Sequence, residues 1–230
     1  MGSCFMSTGP FSCILFDLDG TLVDTAPDLT GALNHVLALN KLAPVSVDHV
    51  RDIVGLGARV TIERGFFHYG RTLTDDALDE ALEQFLAHYS ANICDTSVLY
   101  SGVEESVKGF RDAGLKLGVC TNKTEHLSVS LLEQLGLAHC FDTICGSDTV
   151  PNRKPHPDHI HAALARAGGN AAASIMIGDS QADVDSAKAA GLPVIAMSYG
   201  YTAVPAHALG ADVVLDAFSD IPNVLANWKR

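Results

Sequence analysis

Short apolar runs alternate with helix-like segments along most of this 230-residue chain. Five of the runs have the length and composition of buried strands, namely Cys13 to Phe16, Leu115 to Cys120, Ser174 to Ile177, Pro193 to Met197 and Asp212 to Leu215. Helical patterns lie between them, and four of these patterns close at a glycine, at Gly114, Gly136, Gly168 and Gly191. Strands that alternate with helices predict an α/β fold, in which a Rossmann-like parallel sheet is flanked by helices.

Residues 24–96 break this alternation. Helical patterns cover Pro27 to Leu39, Val47 to Val54 and Thr74 to Ala91, and no convincing strand lies between them. We therefore predict a small helical cap of residues 24–96, inserted after the first strand of a Rossmann-like catalytic core of residues 1–23 and 97–230. Such a cap would close over the end of the first strand. The alternative is that these helices simply pack on one face of the sheet.

The balance of charge bears on the class of partner. With 15 basic and 27 acidic residues, the formal net charge of −12 disfavours binding to nucleic acid and to anionic membrane surfaces. No apolar run is long enough to span a membrane, and residues 1–10 lack the features of a signal peptide. The six cysteines include no CxxC pair, so free thiols are expected. We expect a cytoplasmic protein, monomeric or homodimeric.

The first predicted strand runs directly into two acids. Asp17 and Asp19 follow Phe16, and Gly20 permits a sharp turn whose amides can face an anion. Because ligands of parallel α/β sheets bind beyond the carboxyl ends of the strands, both acids are expected at the ligand-binding edge. On its own, this segment is also compatible with a capped turn that carries two solvated acids.

Polar residues suited to phosphate or a metal also follow other apolar runs. Thr121 and Asn122 can donate hydrogen bonds to a phosphoryl oxygen, although such a pair is also common at a helix N-terminus. Lys154 lies in a proline-containing segment that can hold its ammonium in place, although a single loop lysine is commonly solvated. Asp179 and Asp183 are either acids of a helix N-terminus or, with the first pair, oxygen ligands of Mg²⁺.

In this order along the chain, the residues resemble the four motifs of the haloacid dehalogenase superfamily of phosphohydrolases: DLDGT at 17–21, Thr121, Lys154 and GDSxxD from Gly178 to Asp183. The resemblance extends from Phe11 onward and includes the helical insertion, which is similar to the small cap of that superfamily. It implies that Asp17 is a nucleophile that forms an aspartyl-phosphate, and that Asp19 is the general acid and base. Dehalogenases of the superfamily typically lack the second acid, so Asp19 favours phosphoryl chemistry on a small phosphorylated substrate.

The same resemblance implies a magnesium cofactor and a set of residues around it. The metal would be held by the Asp17 carboxylate, the Asp19 carbonyl and Asp179, with Asp183 supporting them from behind. The phosphoryl oxygens would be held by Thr121, Asn122 and Lys154.

The identity of the phosphate ester depends on the insertion. The stretch from Val54 to Arg64 resembles the corresponding cap segment of bacterial phosphoglycolate phosphatases, which implies 2-phosphoglycolate as the substrate. The distal carboxylate of that substrate needs a cation or amides inside a closed site, and Arg59, beside Gly55 and Gly57, is the candidate from the sequence. Alternatively, Arg59 faces solvent on a cap helix.

Other functions are also compatible with the four motifs. Other small phosphorylated acids or sugars would suit a cap of this kind, and a β-phosphoglucomutase-like enzyme would share all four motifs. A phosphonoacetaldehyde hydrolase would need a cap lysine, for which Lys41 is the only candidate in the insertion and is poorly placed. A non-enzymatic phosphoacceptor module is disfavoured by the insertion and by Asp19.

Overall fold

A six-stranded parallel sheet forms the centre of the protein in the computed structural model, which describes residues 9–229. The strands of this sheet and of a separate pair are β1 (Cys13–Phe16), β2 (Val23–Asp24), β3 (Val98–Leu99), β4 (Lys116–Cys120), β5 (Thr143–Cys145), β6 (Ser174–Gly178), β7 (Val194–Met197) and β8 (Val213–Leu215). The strand order of the large sheet is β5-β4-β1-β6-β7-β8. The predicted fold class is therefore confirmed. Residues 1–8, for which the sequence predicts no signal peptide, lie outside the described range, as does residue 230.

Helices cover both faces of the sheet. They are α1 (Ala26–Leu39), α2 (Val47–Arg51), α3 (Ala58–Phe67), α4 (Asp75–Ala91), α5 (Val103–Asp112), α6 (Glu125–Gln134), α7 (Pro157–Ala167), α8 (Gln181–Ala189) and α9 (Ile221–Ala226). Side chains alternate along β1, so Cys13 and Leu15 join the apolar layer beneath α7 and α8. Ile14 and Phe16 join the opposite layer, which includes residues of α5 and α6. Burial on both faces explains why the strands read as continuous apolar runs.

All five predicted strands of the large sheet are present, and the structure adds β5 at its edge. β5 has only three residues, which is too short for a periodic signal. The four glycines predicted to close helices adopt positive φ angles of 71° to 84°, a conformation in which other residues are strained.

Helices α1–α4 lie between β2 and β3 and form the helical insertion. Within it, α1 packs against α2, α3 and α4, so the insertion has apolar contacts of its own. β2 and β3 pair antiparallel, which places the two chain crossings side by side. The buried carboxylate of Asp28 in α1 accepts hydrogen bonds from the backbone N–H groups of Thr96 and Ser97, which fixes the returning chain just before β3.

The sequence predicts free cysteine thiols and no membrane-spanning segment, and the described residues bear on both expectations. Five of the six cysteines lie within residues 9–229, and all five are free thiols, as expected. Cys4 lies outside this range. Among the described helices, none combines the length and apolar character that crossing a membrane requires.

Candidate active site

The ends of three neighbouring strands bring the predicted site residues to one edge of the sheet. β1 lies between β4 and β6, and Phe16 is in register with Val119 and Ile177. Asp17, Thr121 and Asp179 therefore emerge from the same edge, one or two residues after these positions. This edge faces the helical insertion across a pocket.

Three buried carboxylates meet at this edge. Asp17, Asp179 and Asp183 each offer an oxygen, and these oxygens lie within 4.8 Å of one another. Burial, reinforced by the charge of Asp183, raises the pKa of Asp17 to about 7, although Lys154 partly offsets this. Burial and then Asp183 also raise the pKa of Asp179 well above its usual range. Such a cluster holds full negative charge only when cations balance it.

The ammonium of Lys154 supplies one of these cations. Its Nζ donates to Asp183 Oδ1 at 2.5 Å and lies 3.0 Å from Asp17 Oδ1, and only 1% of the side chain is exposed. Burial alone lowers the pKa of Lys154, but the attraction of Asp17 and Asp183 outweighs burial and raises it. Lys154 is therefore charged at neutral pH.

Asp183 is saturated by the chain itself. While Oδ1 accepts from Lys154, Oδ2 accepts from the backbone N–H groups of Asp179 and Ser180 and from the Ser180 hydroxyl, at 3.2, 3.0 and 2.6 Å. The carboxylate thus joins the start of α8 to Lys154. This arrangement suits a supporting position behind a metal better than a ligand position.

The Asp179 carboxylate is held by two hydrogen bonds, and two glycines pack closely against its side chain. The Thr21 hydroxyl donates to its Oδ1 at 2.5 Å, and the Tyr201 N–H donates to its Oδ2 at 2.7 Å. A Cβ added at Gly20 would lie 2.5 Å from Asp179 Oδ2, and one added at Gly200 would lie 2.1 Å from Asp179 Cβ. The chain therefore closes tightly around this carboxylate.

These residues fit a divalent cation. Hard oxygen donors are the ligands that Mg²⁺ prefers, and the cluster offers two carboxylates that the chain does not saturate, those of Asp17 and Asp179. Asp17 Oδ1 is buried, and its contact with Lys154 lacks hydrogen-bond geometry, so it accepts no hydrogen bond from residues 9–229.

Asp19 faces the pocket with two partners of its own. The Thr25 hydroxyl donates to Oδ1 at 2.8 Å, and the Lys123 ammonium donates to Oδ2 at 2.9 Å. Lys123 is buried, and its Nζ lies 4.6 Å from the centre of the Tyr89 ring in α4. The sequence analysis missed Lys123 and Tyr89. The available signal was that Lys123 directly follows Thr121 and Asn122.

Thr121 and Asn122 differ in whether their side-chain hydrogen-bond donors remain available to a ligand. The Thr121 Oγ1 accepts from the Lys123 N–H at 3.2 Å, and its own O–H donates to no residue in the range 9–229. The Asn122 Nδ2 donates to Gly55 O in the insertion at 3.1 Å and to Lys154 O at 3.2 Å. In this conformation the amide of Asn122 links the sheet edge to the insertion.

The pocket above Asp17 and Asp19 has a volume of about 290 Å³. The insertion contributes to its lining the loop between α2 and α3, the first residues of α3, and α4. Predicted residues Gly55, Gly57 and Arg59 line it, as does Arg153, which the sequence analysis missed. The Arg59 guanidinium pairs within the insertion, with Asp79 and with Asp75.

His159 supports the loop that carries Lys154, and the sequence analysis also missed it. Its Nδ1 accepts from the Lys154 N–H at 3.3 Å, so its Nε2 carries the proton and donates to Cys145 O at 3.1 Å. Burial, followed by the charge of Lys154, lowers the pKa of His159 to about 4. The neutral ring therefore joins β5 to the Lys154 loop.

The chain is similar to known proteins over most of its length. The family described as haloacid dehalogenase-like hydrolase matches residues 14–197. A phosphoglycolate phosphatase of Caulobacter vibrioides is 46% identical over 91% of this chain and 88% of its own length, and one of Agrobacterium fabrum is 44% identical over 96% and 95%. The crystal structure of a predicted phosphoglycolate phosphatase from Haemophilus somnus 129PT has a TM-score of 0.88 and 32% identity, covering 94% of this chain and 98% of that one. The chain belongs to the haloacid dehalogenase-like hydrolase family.

Proposed function

We propose that this protein is a Mg²⁺-dependent phosphomonoester hydrolase that converts 2-phosphoglycolate to glycolate and phosphate. The observation that carries the reaction type is the buried group of Asp17, Lys154 and Asp179, of which Asp17 lines a small pocket together with Asp19. The phosphoglycolate phosphatases among its relatives support the choice of ester.

The first half of the proposed reaction transfers the phosphoryl group to Asp17. A carboxylate oxygen of Asp17 attacks phosphorus, and the bond from phosphorus to the bridging oxygen breaks. Asp19 gives its proton to the departing alkoxide oxygen, so glycolate leaves with a hydroxyl group. Thr121 lines the same pocket as Asp17, and the Lys154 ammonium lies 3.0 Å from Asp17, so both would bind the oxygens of the phosphoryl group.

The second half releases phosphate. Asp19, now a carboxylate, takes a proton from water, whose oxygen attacks phosphorus while the bond to Asp17 breaks. Inorganic phosphate leaves, and both acids return to their starting states. Thr25 and Lys123 hold the Asp19 carboxylate toward the pocket for this step.

Electrostatics explains why a metal is part of the proposal. Two like unit charges about 4 Å apart repel by roughly 4 kcal/mol at an effective dielectric constant of about 20. A phosphate dianion beside Asp17 and Asp179 would add several such pairs. Mg²⁺ held by Asp17, the Asp19 carbonyl and Asp179 would supply the positive charge that, with Lys154, stabilises the transferring group.

The pocket supports a small substrate enclosed by a cap. Its volume of about 290 Å³ is at the lower end for ligand sites, which suits a phosphorylated acid of a few atoms. We propose that residues 24–96 act as this cap on a core of residues 1–23 and 97–230, since the α2–α3 loop, the first residues of α3, and α4 line the pocket that also contains Asp17 and Asp19.

A phosphate-release screen tests the function. The purified protein would be assayed with Mg²⁺ on 2-phosphoglycolate, other small phosphorylated acids and sugar phosphates, and again after chelation with EDTA. The proposal expects the highest kcat/KM for 2-phosphoglycolate and no release in EDTA. A clearly higher kcat/KM for a sugar phosphate, or an isomerised sugar phosphate as the product, would instead identify a sugar phosphatase or a β-phosphoglucomutase-like enzyme.

A further inference from the structure

The pocket is lined by three cationic side chains, and only one of them lacks an acidic partner. Lys123 pairs with Asp19, and Arg59 pairs with Asp75 and Asp79. Within residues 9–229, the Arg153 guanidinium forms no ion pair. Its charge is therefore available to an anion that enters the pocket.

The chain fixes Arg153 close to the reacting centre. Arg153 directly precedes Lys154, whose ammonium lies 3.0 Å from Asp17. From there the Arg153 side chain reaches the wall that the insertion forms, because a Cβ added at Gly57 would lie 2.9 Å from its Nη1. Gly57 has a φ of +90°, so the turn itself also favours glycine.

The Arg153 guanidinium thus lies where the pocket meets the insertion, at a position that a second anionic group of a substrate bound at Asp17 would reach. An arginine fork binds a carboxylate through two parallel hydrogen bonds. We propose that Arg153 binds the distal carboxylate of the substrate, and that Gly57 leaves the space its guanidinium occupies. This inference rests on the proposed function, because it deepens the substrate choice at the same site.

Arg59 is the competing cation, and its environment argues against it. Its charge is already balanced by two acids of α4, so binding a substrate carboxylate would require it to leave them or to share them. Arg153 requires no such exchange. The hypothesis that Arg153 binds the carboxylate and the hypothesis that Arg59 does so predict different results for the same pair of substrates.

The test compares 2-phosphoglycolate with 2-hydroxyethyl phosphate, which has a similar size but no carboxylate. For Arg153→Gln we expect kcat/KM for 2-phosphoglycolate to fall on the order of 10- to 100-fold, the scale for a lost hydrogen bond to a charged group. The kcat/KM for 2-hydroxyethyl phosphate should change little. Arg153→Lys should recover part of the loss, since it keeps the charge but not the fork. Arg59→Gln is the matched control and should not reduce the preference for the carboxylate.

Binding without turnover gives a second readout. In an Asp17→Asn background with Mg²⁺, the Kd of 2-phosphoglycolate measured by calorimetry should rise on the order of 10-fold or more when Arg153→Gln is added. Equal losses on both substrates, an unchanged Kd, or a selective loss with Arg59→Gln in place of Arg153→Gln would each overturn the inference. If the wild-type protein prefers another ester, the proposed function fails, and the Kd comparison still decides the role of Arg153.

Discussion

The ammonium of Lys123 lies 2.9 Å from a carboxylate oxygen of Asp19, and the pair is covered by the Tyr89 ring of α4. Burial alone lowers the pKa of Lys123, but Asp19 outweighs burial and raises it, so the ammonium stays charged. Asp19, the acid proposed to move protons, is therefore held by Lys123 and by Thr25, and Tyr89 of the insertion lies over the Lys123 ammonium.

Lys123→Met should slow turnover by disturbing the position of Asp19. A misplacement of about 1 Å in a reacting group costs on the order of 10²-fold in rate. We expect kcat to fall on that scale for 2-phosphoglycolate, whose leaving alkoxide needs a proton, and much less for 4-nitrophenyl phosphate. Steady-state kinetics on both esters measures the difference. Lys108→Met, an exposed lysine of α5, is the control, and an equal fall on both esters would argue for a general structural role instead.

Asp17→Asn should abolish phosphate release. The amide is a poor nucleophile and forms no aspartyl-phosphate, so we expect a loss of at least about 10³-fold in kcat. Asp185→Asn, an exposed acid on α8, should retain the wild-type rate. Trapping of phosphate on the wild-type chain, with none on Asp17→Asn, would be measured by intact-protein mass spectrometry after an acid quench. Wild-type turnover by Asp17→Asn would rule out Asp17 as the nucleophile.

Lys154→Met should lower the free energy of unfolding as well as the rate of the reaction. It leaves the buried carboxylates of Asp17 and Asp183 without their ammonium partner, and removing one member of a buried pair costs roughly 3–5 kcal/mol. Urea unfolding in EDTA would measure the change, and Mg²⁺ should restore part of it, because the metal binds the native state. Lys116→Met removes an exposed lysine and should change the free energy of unfolding by less than about 0.5 kcal/mol. A Lys154→Met protein as stable as the control would show that the acids need no permanent cation.

His159 should make the native state sensitive to acid. Its pKa falls from 6.5 to about 4 on folding, so the unfolded chain binds the extra proton between these values. The stability that the neutral ring contributes is complete above pH 6.5 and is lost as the pH falls toward 4, on the order of 3 kcal/mol in all.

His159→Gln isolates that contribution because glutamine does not titrate. The free energy of unfolding of the wild type minus that of His159→Gln should shrink as the pH falls from 6.5 to 4, as measured by urea titration at each pH. A difference that stays constant over this window would mean that the ring protonates as readily in the native state as in the unfolded chain.

The strands and the polar residues that follow them could be predicted because both are visible in short stretches of the sequence. β1, β4 and β6 are buried on both faces and read as apolar runs, and Asp17, Thr121 and Asp179 follow them directly. Lys154 was identified only as part of a set, since nothing in its own segment shows that it reaches Asp17 and Asp183.

The residues that were missed depend on contacts between distant segments. Lys123 meets Asp19 and Tyr89 only after folding, and Arg153 meets Gly57 only because the insertion packs over the sheet edge. Ion pairs within the chain also decide whether a charged side chain is available to bind a substrate. The acidic partners of Arg59, Asp75 and Asp79, lie on a different helix, and no periodicity in the sequence links them to it.

The antiparallel pairing of β2 with β3 has an evolutionary consequence. Because Cα atoms of paired strands stand about 5 Å apart, the chain leaves the sheet and returns to it at nearly the same point. The segment between these points can be lengthened, exchanged or replaced by a short turn without changing the path of the remaining chain. The part of the pocket lining that the insertion contributes can thus diverge among descendants by replacement of one contiguous stretch, while the residues of the sheet edge around Asp17 are inherited unchanged.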